Sequence, residues 1–269
     1  MERAKVLAVF RNEWQQTFTV GRMTGWLLIC AVPAVLTVLV SRNTGLTNQA
    51  VTSWTNILFV VCTVICLLQL LLWATPWLYS ELEGKTWSYL AVRPGGKSAV
   101  LLGKYFAAAT RTMLGTLMAL ALALLIVRPV DGWKIFLVLG FILAISSFSY
   151  AAVFVLLGAI SPKRAMALAV SYSLVIEFVV PRFPAIISKL SLQFHIRSIL
   201  IGLIELLKIE GDWQSVFTFL LLESLSFEDP NWYAEVLSHL SILVIATFAL
   251  LWITNQLICR REQVLKAEV

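Results

Sequence analysis

Charge is the scarcest commodity in this chain. Only 13% of its 269 residues are Asp, Glu, Lys or Arg, against 59% that are hydrophobic. A soluble domain of this size needs roughly a quarter of its residues charged to cover its surface, so a water-soluble globule is excluded on composition. Histidine is nearly missing: His195 and His239 stand far apart, and only Glu235, four residues before His239, is spaced as a second ligand. No metal site is expected from that pair, and no zinc-protease signature is present. The four cysteines (Cys30, Cys62, Cys66, Cys259) lie in or beside apolar runs. Cys62 and Cys66 share a helix face, but no His or carboxylate is near, and they read as small packing residues. A phosphate loop is lacking too. Gly96-Lys97-Ser98 imitates its end, yet Ala91 stands where a glycine is required and no strand pattern precedes it. Binding of ATP by this chain is therefore not expected.

What remains is long apolar runs punctuated by short polar clusters, the pattern of an all-α polytopic membrane protein. A crossing needs about 20 apolar residues, and six windows are expected to span: 25–40, 54–77, 105–127, 133–160, 165–180 and 234–258. The first is interrupted by Pro33, and Trp73, Trp77 and Tyr79 form an aromatic belt at the end of the second. Residues 1–20 place Val6, Leu7, Val9, Phe10, Trp14 and Phe18 on one helical face, with Arg3, Lys5, Arg11 and Glu13 around the other. That pattern predicts an interfacial helix rather than a signal peptide. Residues 185–233 hold apolar stretches too short to cross, expected as interfacial or re-entrant helices in an outer loop.

The formal charge of +6 does not form a nucleic-acid-binding patch, because the basic residues sit beside the apolar runs. With six crossings and a cytoplasmic N-terminus, thirteen Lys and Arg fall on inside segments and seven outside, four of those in the long outer loop. This asymmetry predicts a multi-pass plasma (inner) membrane protein with both termini in the cytoplasm.

The most polar stretch of the first half is 79–104, on the cytoplasmic side. Glu81, Glu83 and Lys85 open it, Trp87, Tyr89, Leu90 and Val92 give it an apolar face, and Arg93-Pro94-Gly95-Gly96 breaks it. It reads either as a short amphipathic docking helix or as a solvated loop with interfacial aromatics. Within the fifth window, Glu177 places a costly carboxylate at membrane depth. It is either a pathway or dimer-interface residue, or a structural one paired with Arg182 or Arg197. Arg111, two turns into the third window, is expected to snorkel to the interface. Ser146, Ser147, Ser149 and Tyr150 are expected to bond to helix backbone or support helix packing.

The run from Glu81 to Pro94, followed by Gly103-Lys104, resembles the cytoplasmic signature between crossings two and three of ABC-2-type permeases. An acidic residue, a Gly-Thr-like turn, an apolar pair, a Pro-containing basic turn and a later Gly-Lys occur in the same order, although Lys85 separates Gly84 from Thr86. The outline of the whole chain is similar as well. The resemblance implies the transmembrane subunit of an ABC exporter, not itself an enzyme, driven by a separate cytosolic ABC ATPase that binds ATP. It also implies a homodimer or a heterodimer with a similar permease, and Glu81, Glu83, Lys85 and Arg93 at the ATPase contact. No cofactor is expected in this chain. The alternatives are an ion-coupled carrier, for which Glu177 has no counterpart in the other half, and a membrane enzyme acting on lipid, for which no polar constellation is found.

Overall fold

The computed structural model describes residues 2–17, 19–44, 48–84, 87, 95–129, 131–180, 189, 191–207 and 232–260. Among these, the secondary structure is helical without strands. The principal helices are α1 (Glu2–Thr17), α2 (Val20–Thr44), α3 (Asn48–Trp73), α4 (Trp77–Glu83), α5 (Gly96–Val127), α6 (Gly132–Ile160), α7 (Ala165–Tyr172), α8 (Leu192–Leu206) and α9 (Trp232–Arg260). Helices suit runs this apolar, because in lipid a backbone must satisfy its own polar groups and an apolar helix does so residue by residue.

Five segments are long and apolar enough to cross a membrane: Val20–Val40, Ile57–Glu83, Gly96–Val127, Gly132–Ile160 and Val236–Arg260. The fifth expected window, 165–180, is helical but short. Eight α-helical residues of α7 run into seven π-helical ones, Ser173–Val179. At ~1.5 Å per residue that stretch reaches about 22 Å, less than the roughly 30 Å hydrocarbon core.

Helix α6 is the axis of the bundle, with 78% of its apolar window buried, whereas α2 and α9 are peripheral at 17% and 6%. Its sequence explains this. Buried Gly140, Ser146, Ser147, Ala151, Ala152, Gly158 and Ala159 let neighbouring backbones approach closely, as small residues do in membrane interfaces. Around them Tyr150, Phe154, Ile142 and Leu143 fill the core. At Gly158 the approach is tightest. The turn after α3 packs there, and the Trp77 indole N–H donates to the Val155 carbonyl at 2.9 Å. As expected, Ser146 and Ser147 donate back to Ile142 and Leu143 of their own helix, both at 2.7 Å. Helix α2 continues through Pro33; one turn on, Thr37 donates to the Pro33 carbonyl and accepts from the Trp54 indole.

Helix α5 begins at Gly96, immediately after Gly95 turns the chain at φ 72°, a left-handed conformation that a side chain disfavours. The Gly103-Lys104 pair therefore lies two turns inside a helix that runs on to Val127. The Ser98 hydroxyl donates to Asn255 at 2.8 Å, so the start of α5 and the end of α9 share one end of the bundle.

Candidate functional site

At that end, charges from three helices converge on one ammonium. Lys104 of α5 is 8% exposed and ion-paired to Glu81 of α4 at 2.5 Å and to Glu13 of α1 at 3.1 Å. Its remaining donor capacity goes to the Trp77 carbonyl at 3.3 Å and the Ser80 hydroxyl at 3.4 Å. A lysine surrounded by four oxygens is well satisfied despite its burial. Gly103 beside it makes the junction sterically possible: a Cβ there would lie 2.7 Å from Val9 of α1. The glycine admits α1 and the lysine then binds it.

A cavity of about 710 Å³ opens beside this junction, lined by residues of α1, α2, α3, α4 and α5. On its wall the Arg111 guanidinium lies 4.0 Å over the Trp73 ring, with Arg22 at 5.9 Å from the same ring. Arg111 is buried. In place of simple snorkelling, its planar cation is held against an aromatic face, which favours a guanidinium over a solvated amine.

The sequence-predicted coupling residues separate into three groups. Glu81 faces inward, onto Lys104. Glu83, two residues on, is exposed at the end of α4. Lys85 and Arg93 lie outside the described residues. What the sequence did not single out is Glu13. Its only signal was its place on the polar side of α1, where it reads as a solvated charge.

Glu177 occupies a second polar centre, between the π-helical turn, α6 and the start of α8. Tyr150 and Tyr172 donate to it at 2.9 and 2.5 Å, the Ser191 hydroxyl at 3.1 Å and the Gln193 backbone N–H at 3.0 Å. Tyr150 also lies 2.9 Å from Gln193 Oε1. A phenol has one hydrogen, and the carboxylate takes it. The Gln193 amide then closes the network by turning its NH2 group toward the Tyr150 oxygen. The carboxylate is 2% exposed. The four donors hold it inside the chain, as a fastening between helices. Of its two expected basic partners, Arg182 lies outside the described residues, and Arg197 is buried on α8. The π-helical turn is the local device that brings the carboxylate inward, since one extra residue per turn rotates the side chains that follow. Tyr150, expected to serve packing, is the residue that ties α6 to this centre.

Cys62 and Cys66 are buried, and Cys66 contacts the Ser147 hydroxyl at 3.6 Å. Among the described residues no group of three or more His, Cys, Asp and Glu gathers. No protein-family model matches the chain, and no curated protein matches it.

Proposed function

We propose that the chain is the membrane-spanning permease subunit of an ABC transporter, an exporter of the plasma membrane with both termini in the cytoplasm. One observation carries the reading. Glu81 and Lys104, from opposite ends of the segment that resembles the ABC-2 cytoplasmic signature, are ion-paired, and Glu13 ties the N-terminal helix to the same ammonium. This junction of the segment's acidic residue with its Gly-Lys is what supports the reading.

The mechanism follows from the connectivity. A partner ATPase binds and hydrolyses ATP, and its closure displaces the exposed end of α4 around Glu83. Because α4 follows α3 through a three-residue turn and is clamped to α5 and α1 at Lys104, the push moves three elements together. Transport then opens between two permease halves, this chain pairing with itself or with a similar one. Glu83 is the contact residue, Glu81 and Lys104 transmit, and Lys85 and Arg93 extend the contact.

The test is purification of the tagged full-length chain in mild detergent, followed by mass spectrometry and an ATPase assay. A stoichiometric ATP-binding subunit is expected, lost in Glu83→Lys. In Glu81→Gln the subunit is expected to stay bound while transport-linked ATP hydrolysis falls. Folded, abundant protein without such a partner overturns the reading.

A further inference from the structure

The cavity of about 710 Å³ beside the Lys104 junction has a second wall that takes no part in it. There Arg22 of α2 and Arg111 of α5 come to the same Trp73 ring, with guanidinium carbons 5.9 and 4.0 Å from its centroid. Both line the cavity. Those two distances to one point put the charges within about 10 Å of each other, close enough to repel at moderate salt.

The other charged groups of the lining belong to the junction. Glu13 and Glu81 are ion-paired to Lys104 at 3.1 and 2.5 Å, so the lining carries three cations against two carboxylates. Its net charge is positive, and the excess lies on the side of the two arginines. The Trp73 ring attracts each guanidinium through its quadrupole, yet it brings no negative charge to set between them.

The depth of the cavity selects the anion. Arg22 stands at the start of the span Val20–Val40 and Trp73 late in Ile57–Glu83, while Arg111 is two turns into the expected crossing 105–127. The cavity therefore lies near an end that three spans share, at the level where a bilayer places its headgroups. Trp73 and Trp77, which also line it, are side chains of the kind that collects at that level. Leu72, Val100, Ala107 and Ala108 give the same cavity an apolar part, next to the cations. A phospholipid offers that combination, an anionic phosphate joined to methylenes.

We propose that this cavity is a phosphate site for the headgroup of an anionic membrane phospholipid, with Arg22 and Arg111 converging on the phosphate. A planar guanidinium presents paired N–H donors that match phosphate oxygens, and basic pockets between spanning helices suit anionic headgroups. A bound phosphate draws the two cations together and ties α2 to α5. The site needs neither an ATPase nor a particular orientation of the chain, so it is independent of the transport reading.

The experiment uses the full-length chain in lipid-free detergent, titrated with phosphatidylglycerol and read by native mass spectrometry and melting temperature. The wild type is expected to bind one phosphatidylglycerol per chain and to melt higher with it. Phosphatidylcholine, which carries its own cation beside the phosphate, is expected to bind at least about fivefold more weakly. Arg22→Gln, at an exposed position, is expected to fold and to weaken phosphatidylglycerol binding by roughly fivefold or more. Arg22→Lys, which keeps the charge without the paired donors, is expected to fall between the two. Arg3→Gln removes the same charge from a residue lining a different groove, and is expected to bind like the wild type. Inorganic phosphate alone is expected to leave the melting temperature unchanged. Equal binding of the two lipids by the wild type overturns the proposal, as does an equal loss in Arg3→Gln and Arg22→Gln, which marks a general charge effect. Stabilisation by inorganic phosphate without any by phosphatidylglycerol also overturns it, since the site then takes a free anion.

Discussion

Lys104 gathers two carboxylates and two further oxygens around one ammonium. Replacing it with methionine keeps the stem but leaves Glu13 and Glu81 facing each other in a partly buried space. Removing one partner of a buried pair costs about 3 kcal/mol at the lower end of its range, which applies because both carboxylates keep some solvent. A clear fall in melting temperature of the purified protein is the expected outcome. Glu177 offers a contrasting case, a carboxylate held by neutral donors. Tyr172→Phe deletes one hydrogen bond to a charged group and is expected to destabilise by about 1.5–3 kcal/mol. Glu177→Gln puts an amide NH2 against some of those donors and should cost at least as much. His195 adds a pH dependence. Its folded pKa lies below the ordinary 6.5, so the unfolded chain binds the proton more tightly. Its contribution is therefore complete above pH 6.5 and is lost as pH falls from there through the folded value. Thermal melts at pH 8 and pH 5.5 are expected to show a loss on acidification that shrinks in His195→Gln.

At the scale of elements, the informative joint is α1 against α5. A side chain at position 103 meets Val9 at 2.7 Å and the Val6 carbonyl at 3.1 Å, so Gly103→Ala forces the helices apart unless Val9 yields. Because both the Cβ and a Cγ of Val9 lie at 2.7 Å, Gly103→Ala combined with Val9→Gly is expected to lose less stability than the two single variants sum to. That non-additivity identifies direct contact. Melting temperatures of the single and double variants check it, and additive losses would place α1 elsewhere. The same joint shows where sequence reading stops. The apolar face of α1 predicted contact with something apolar, and lipid fitted as well as α5 did. Nothing in the one-dimensional pattern marked Glu13 as the partner of a lysine ninety-one residues further on.

For the whole molecule, the outward faces of α2 and α9 decide how it sits in its solvent. Phe248 of α9 is 70% exposed and apolar, an arrangement that water does not reward and a membrane does. A charge near the middle of a spanning helix costs about 2.5–3.5 kcal/mol on insertion scales. Phe248→Asp is therefore expected to lower the membrane-integrated yield, measured by resistance to carbonate extraction. Phe248→Leu is expected to integrate like the wild type.

The membrane class, the helical secondary structure and most of the long helices were legible in the sequence, because each rests on a local quantity. Apolar runs longer than a bilayer is thick need no knowledge of neighbours. Five of the expected windows overlap segments long and apolar enough to cross a membrane, as in Gly132–Ile160. The fifth window was harder to judge, since hydropathy does not report that a helix widens into a π turn. The polar centres depended on tertiary structure for a different reason. Glu81 and Glu83 look alike in sequence, and only packing turns one onto Lys104 and leaves the other exposed. Glu177 was noticed as costly, but its four donors come from three separate stretches of chain. His195 and His239 were set aside as isolated, and α8 against α9 brings them together. Burial energy is written residue by residue along the chain, whereas a polar site is a coincidence of distant positions that only the folded bundle creates.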